Sequence, residues 1–178
     1  MFALNIAVIT GASSGIGREY ALEVSRTREA VDEIWLIARR EDKLRETAES
    51  ISKKVRILPL DLTKEDALNE YSNLLLSLKP NVLTLINNAG FGKLGDFDRT
   101  SPEDSTGMVR LNCEALTAVT SLTLPFMASG AEIINVSSIA AFAPNTRMAV
   151  YCSTKAYVFS FSLALRSELK KRGINVLA

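Results

Sequence analysis

The sequence predicts a doubly wound α/β fold, a parallel sheet with helices on both faces, and three observations predict it. Short runs rich in Val, Ile and Leu alternate with longer helix-like stretches along the whole chain. A glycine-rich turn joins the first such run to the first helix. The 178 residues are 47% hydrophobic and 23% charged, an ordinary globular composition for one domain spanning residues 1–178.

The elements follow in order. Ile6–Ile9 reads as the first strand, and Thr10-Gly11-Ala12-Ser13-Ser14-Gly15-Ile16-Gly17 as the turn after it. Gly15–Arg26 is the first helix and Ile34–Ala38 the second strand. The segment Ser25–Asp32 between them is a charged connection to which no function is attached. Asp42–Lys53 reads as a helix, Val55–Leu60 as a strand and Lys64–Leu78 as a helix. Thr63 is the expected N-cap of this third helix, with Asp66 as an acidic capping-box partner. Val82–Ile86 is a strand, Pro102–Met127 a long helix and Glu132–Val136 a strand. Tyr151–Arg172 closes as a helix on Gly173, a natural C′ residue after three basic ones, and Ile174–Leu177 is the last strand. Strict alternation of this kind implies parallel pairing through crossover helices.

Bulk properties exclude several functions. A formal net charge of +1 gives no electrostatic case for nucleic acid or an acidic membrane. With no histidine, Ser-His-Asp and Cys-His catalysis and His-ligated metal sites are excluded, and no metal is expected. Cys113 and Cys152 form neither a disulfide framework nor a zinc pattern and read as reduced thiols, which fits a cytoplasmic location. The N-terminus, Met1-Phe2-Ala3-Leu4-Asn5-Ile6, lacks a basic n-region and runs into the first strand. No apolar run approaches the roughly 20 residues that span a bilayer.

The glycine turn suits a dinucleotide. Gly11, Gly15 and Gly17 let the backbone approach a pyrophosphate, the helix N-terminus supplies N–H groups, and Ser13 and Ser14 add hydroxyls. The second strand ends in Arg39-Arg40 with no carboxylate at its tip. A free ribose 2′-hydroxyl wants an Asp or Glu there, whereas a 2′-phosphate wants a cation, so Arg39 favours NADP(H) over NAD(H). Asp61-Leu62 stands where a side chain can meet the adenine edge, and in Asn87-Asn88-Ala89-Gly90 small residues let the backbone pass close to a ribose.

Tyr151 and Lys155, at i and i+4, share a helix face. A free tyrosine titrates near 10, and a neighbouring ammonium favours the phenolate, so such a pair can exchange protons with a carbonyl or alcohol oxygen. Ser138 follows the fifth strand at the carboxyl edge of the sheet, where open α/β sheets bind ligands. Its neighbour Ser137 should point the opposite way by strand alternation. Asn112, a polar amide within the long fourth helix, suggests a structural water or a proton relay.

In this order and spacing the residues resemble the short-chain dehydrogenases/reductases, specifically the single-domain oxidoreductase branch. The motifs that carry the likeness are Thr10-Gly11-x-x-x-Gly15-x-Gly17, Asp61, Asn87-Asn88-Ala89-Gly90, Asn112, Ser138 and Tyr151-x-x-x-Lys155. The resemblance implies a Rossmann-like fold and hydride transfer between a nicotinamide and a carbonyl or alcohol carbon. Tyr151 would be the acid/base and Lys155 the ribose holder and tyrosine modulator. Ser138 would orient the substrate and Asn112 would hold a relay water. The cofactor would rest on Gly11, Ser13, Ser14, Gly15, Ile16, Gly17, Arg39, Asp61, Leu62, Asn88, Ala89, Gly90, Tyr151 and Lys155. It also implies a homodimer or homotetramer built on the two long helices. In relatives the strand matching Ile174–Leu177 leads into a Pro-Gly loop, a substrate-covering segment and a last strand, so the domain is C-terminally incomplete at Ala178.

The expected activity is that of an NADP(H)-dependent carbonyl reductase or alcohol dehydrogenase. A non-catalytic nucleotide-binding module is the alternative, which would bind cofactor without hydride transfer, and a helical oligomerisation scaffold would bind no nucleotide. Residues Ala140–Val150, with Phe91, Lys93 and Leu94, should line the substrate pocket. Ala141, Phe142, Pro144 and Met148 make it apolar, which suits a ketone, an acyl thioester or a steroid alike.

Overall fold

The computed structural model describes residues 4–178, so Met1, Phe2 and Ala3 of the expected N-terminal lead-in lie outside the described residues. Six strands form one sheet: β1 (Asn5–Thr10), β2 (Glu33–Ile37), β3 (Lys54–Leu58), β4 (Asn81–Asn87), β5 (Glu132–Asn135) and β6 (Asn175–Leu177). Their order is β3-β2-β1-β4-β5-β6, with every pair parallel. Between them run α1 (Gly15–Thr27), α2 (Glu41–Glu49), α3 (Glu65–Leu78), α4 (Pro102–Val109), α5 (Leu116–Thr123) and α6 (Ala149–Leu169).

The two-residue strand period sorts the core into two layers. Ile6 and Val8 of β1, with Trp35 and Ile37 of β2, face α3, α5 and α6 through Tyr71, Leu75, Val119 and Leu165. The alternate residues Ala7, Ile9, Ile34 and Leu36 face α1 and α2 through Ala21, Val24 and Leu44. Both faces of the central strands are therefore dry, which explains their continuous apolar runs. Register slips by one residue between Ile6↔Val82 and Ala7↔Thr84, so Val82 and Leu85 share a face although three apart.

Sequence and structure differ at several places, among them the end of β3, at Leu58 rather than Leu60, and the start of α6, at Ala149 rather than Tyr151. Helix α2 stops at Glu49 rather than at Lys53, because residues 50–53 turn the chain into β3. Lys64, not Thr63, caps α3, and no side chain bonds the cap. Thr63 instead gives both its backbone N–H (3.1 Å) and its hydroxyl (2.7 Å) to Asp61 Oδ1, a local turn that competes with capping. The single helix expected over Pro102–Met127 is α-helical only in α4 and α5. Arg110–Ala115 between them is a π segment, and Leu124–Phe126 tightens to a 3₁₀ turn. Helix α6 likewise ends in a 3₁₀ turn, Lys170–Arg172, before Gly173 takes the left-handed conformation expected of a C′ residue.

At the outer edge, Glu33 is fully buried. Its carboxylate meets Lys54 Nζ at 2.7 Å and Arg56 Nε at 2.7 Å, and accepts from the Trp35 indole at 3.0 Å. Burial alone would raise this carboxyl's pKa, but the bonds and charges of Lys54 and Arg56 outweigh it and hold the group below the usual carboxylate range. A depressed folded pKa contributes stability that is present above the unfolded pKa and lost as pH falls through the folded one. Glu33→Gln should therefore cost about 1–3 kcal/mol at neutral pH. Urea unfolding at neutral and acid pH checks this, and the wild-type advantage should vanish in acid.

Candidate active site at the sheet switch point

The chain winds β1-β2-β3 in one direction and then returns to place β4 beside β1. Open α/β sheets bind ligands at such a switch, outside the carboxyl ends of the strands. A cavity of about 370 Å³ opens there, within the range of small-molecule sites. Ten of the residues expected to bind cofactor line it: Gly11, Ser13, Ser14, Ile16, Arg39, Asp61, Leu62, Asn88, Ala89 and Gly90.

Gly15 and Gly17 do not line the cavity, and Gly17 supports it from below. A β-carbon on Gly17 would lie 2.3 Å from the Gly11 carbonyl oxygen and 2.4 Å from Asn88 Nδ2, so only hydrogen fits where α1 packs under the turn. Ser14 caps α1 without using its hydroxyl on the helix. The free N–H groups and dipole of this helix start favour an anion.

Arg40 is a residue the sequence reading left aside. It lines the cavity with Arg39, and its Nη2 reaches the hydroxyls of Ser14 (3.2 Å) and Ser13 (3.4 Å). The signal was present in the Arg39-Arg40 pair, but spacing alone does not say which guanidinium turns inward. Ile37, Ala38, Leu60 and Leu111 also line the cavity, and as ordinary strand and helix apolar residues they carried no signal. Burial alone would raise the Asp61 carboxyl's pKa, but bonds from Thr63 and the charges of Arg39 and Lys64 outweigh it and keep the group low.

Tyr151, Lys155, Ser138 and Asn112 lie beyond the cavity lining. Lys155 is 8% exposed and donates to the Val136 carbonyl at 2.7 Å. Its Nζ sits 5.8 Å from the centroid of the Tyr151 ring, the shared face that i and i+4 predict. Burial pushes the Lys155 ammonium's pKa down. Ser138 Oγ accepts from Ala140 N–H at 3.2 Å, which leaves its own hydrogen free to donate. Ser137 lies beyond the end of β5, where strand alternation no longer applies, and donates to the Lys155 carbonyl at 3.1 Å.

Asn112 is 1% exposed and sits in the π segment. Its Oδ1 accepts from Phe91 N–H (3.0 Å), while Nδ2 donates to Phe91 O (2.9 Å) and to Thr154 Oγ1 (3.0 Å). Both amide donors are thus committed to protein acceptors. The expected water-holding role cannot use those donors, and the visible task of the side chain is to clamp the loop after β4. That loop then passes against Tyr151: a β-carbon on Gly92 would lie 2.7 Å from Tyr151 Cδ2.

The comparisons agree with this arrangement. A family model described as short chain dehydrogenase matches residues 5–178. A very-long-chain 3-oxoacyl-CoA reductase of Laccaria bicolor is 35% identical, covering 96% of this chain and 52% of that protein. The chain thus spans about half the length of that relative. Among solved structures, the bulky-bulky ketone specific alcohol dehydrogenase from Comamonas testosteroni is 32% identical with a TM-score of 0.85, covering 96% of this chain and 69% of that one. A short-chain dehydrogenase from Sphingobium yanoikuyae in complex with NADPH is 32% identical with a TM-score of 0.86, covering 97% and 69%. With a parallel Rossmann-like sheet and a family model that matches residues 5–178, the chain belongs to the short-chain dehydrogenase family.

Proposed function

We propose that this chain carries the cofactor site and acid/base pair of an NADP(H)-dependent oxidoreductase acting on carbonyl or alcohol substrates. The observation that carries the reading is the buried Lys155 ammonium, fixed on Val136 O with the Tyr151 ring 5.8 Å away. A phenol and an ammonium so placed can serve one substrate oxygen, the phenol as the proton-exchanging group and the ammonium as a fixed donor beside it. Ser138, with its hydroxyl hydrogen free, donates to that same oxygen. When bound, the nicotinamide supplies or accepts the hydride.

The residues present fit such a cofactor. The tight Gly17 contact keeps the turn open to a pyrophosphate, and Ser13, Ser14 and the start of α1 face it. Two guanidinium groups and no carboxylate at the end of β2 favour a 2′-phosphate, with Arg39 and Arg40 as its ligands. NADPH in the Sphingobium neighbour supports the same preference. Exposed Ile139, Phe142 and Leu94 flank Ser138 and Gly92 in sequence. An extended apolar carbonyl compound suits that surface, whether a bulky ketone or a 3-oxoacyl thioester, and the ketone-specific Comamonas enzyme and the 3-oxoacyl-CoA reductase of Laccaria point the same way. A homodimer or homotetramer is supported by an apolar groove of about 440 Å³ between the end of α4, the π segment and the start of α6, lined by Phe97, Val109, Cys113 and Val150 among others. No helix among the described residues is long and apolar enough to cross a membrane.

Fluorescence titration with both nucleotides tests the cofactor reading. NADPH should bind tighter than NADH. Replacing Arg39 and Arg40 together by Gln should weaken NADPH binding roughly tenfold to a hundredfold while leaving NADH nearly unchanged, as expected for lost charge-assisted bonds. Equal or tighter NADH binding by the wild type would sink the preference.

Turnover tests the acid/base reading. Tyr151→Phe should lower kcat by about 10²-fold or more with NADPH affinity retained, measured as NADPH oxidation over a panel of bulky ketones and 3-oxoacyl thioesters. A Tyr151→Phe variant that turned over at the wild-type rate would remove Tyr151 from the chemistry.

A further inference from the structure

Thr154 belongs to no motif noted in the sequence, yet it sits where three parts of the site meet. It is 2% exposed on α6, one residue before Lys155. Its hydroxyl accepts from Asn112 Nδ2 at 3.0 Å and donates to the Tyr151 carbonyl at 2.8 Å. Asn112 in turn holds Phe91 by both its backbone N–H (3.0 Å) and its carbonyl (2.9 Å). Gly92, the next residue, lies so close to the Tyr151 ring that even a β-carbon would overlap it, at 2.7 Å from Cδ2 and 3.0 Å from Cε2. The path therefore closes on itself: Tyr151 carbonyl, Thr154 hydroxyl, Asn112 amide, Phe91 backbone, Gly92, Tyr151 ring.

We propose that Thr154 is a positioning residue for the Tyr151 ring, acting through this closed loop of contacts. The inference rests on the reading of Tyr151 as the acid/base. The physical reason lies in directionality. Apolar packing holds a ring in place only loosely along the face it packs on, whereas hydrogen bonds fix distance and angle together. The Thr154 hydroxyl ties the Asn112 side chain to the Tyr151 carbonyl, while the other bond between the π segment and α6, from Cys113 Sγ to the Thr154 carbonyl at 3.8 Å, reaches neither group: remove the hydroxyl and Asn112 still holds Phe91, but that pair is no longer tied to the backbone of the tyrosine. An i to i−3 bond from a threonine to its own helix also shapes the local turn, here the turn that carries Tyr151. Valine has the same shape and lacks the hydroxyl, and serine keeps the hydroxyl.

The test compares Thr154→Val and Thr154→Ser with the wild-type chain, using two readouts. The first needs no turnover. The protein has four tyrosines, so carbon-13 labelling at tyrosine Cζ gives a spectrum in which Tyr151→Phe identifies the Tyr151 signal. Thr154→Val should move or broaden that signal, and Thr154→Ser should leave it at the wild-type position. The second is kinetic: Thr154→Val should lower kcat about ten- to a hundredfold with NADPH affinity within twofold of wild type, and Thr154→Ser should restore the rate, as expected for a small misplacement of a reacting group. If Thr154→Val does not fold, Thr154→Ser and Asn112→Asp carry the spectral test, and Asn112→Asp should move the Tyr151 signal. An unmoved Tyr151 signal in both disruptive variants, or a Thr154→Val enzyme with wild-type kcat, overturns the proposal. A wild-type chain that binds NADPH but reduces no carbonyl, with the Tyr151 signal still shifting in Thr154→Val, would instead overturn the catalytic reading and leave the positioning contact standing.

Discussion

The Thr10 hydroxyl is the junction from which the nucleotide side of the site hangs. It accepts from the backbone N–H groups of Asn88 (3.0 Å) and Ala89 (3.0 Å), and reaches the Ile86 carbonyl at 3.4 Å. Asn88 answers with its side chain, donating to the carbonyls of Thr10 (3.3 Å) and Gly11 (3.2 Å). The glycine turn after β1 and the small-residue loop after β4 are thereby locked to each other at the one place where the sheet changes winding direction. Gly17 then slides beneath the lock, against Gly11 and Asn88, and brings the start of α1 to the cavity. Were any of these partners lost, buried backbone groups would go unpaired at about 1–3 kcal/mol each, and the turn would lose its position along with its stability.

A second polar chain ties α5 and α6 to the sheet. Asn87 and Asn135 face each other in register at the ends of β4 and β5, and bond at 2.8 Å. Asn87 also reaches Thr120 on α5 (2.9 Å), and Asn135 reaches Ser162 on α6 (2.9 Å). All four side chains are buried. The middle of the sheet is apolar and indifferent to small shifts, while its carboxyl edge is hydrogen-bonded, where a shift costs bonds. Position is therefore specified at the edge where the cavity opens, and Lys155 adds one further bond, to Val136, in the same edge.

Much of this was legible in the sequence, for identifiable reasons. The strands and their parallel pairing followed from apolar runs such as Ile34–Ala38, whose burial on both faces leaves no polar alternation to misread. The glycine turn was legible because Gly11, Gly15 and Gly17 stand between a strand and a helix. What sequence could not show were features set by contact. The π segment at Arg110–Ala115 has unremarkable helix composition and arises where Asn112 must turn to reach Phe91 and Thr154. Thr63 looked like a cap because it precedes an acidic helix start, but Asp61, two residues back, offered a nearer partner. The inward turn of Arg40 depends on where Ser13 and Ser14 hold their hydroxyls, and no spacing rule contains that.

The buried Lys155 shows how stability and activity are traded at this edge. Burial lowers its folded pKa below the unfolded value, so between the two pKa values the unfolded chain binds more protons, and stability rises with pH across that interval. Desolvation of the charged form is a standing cost to the fold. The Val136 carbonyl offsets part of that cost with one bond of 2.7 Å. An apolar side chain of similar length would avoid the cost altogether. A fold selected for stability alone has no reason to keep a cation there. The proposed reading supplies a reason: an ammonium fixed on α6 one turn from Tyr151 can hold a cofactor ribose beside the reacting groups.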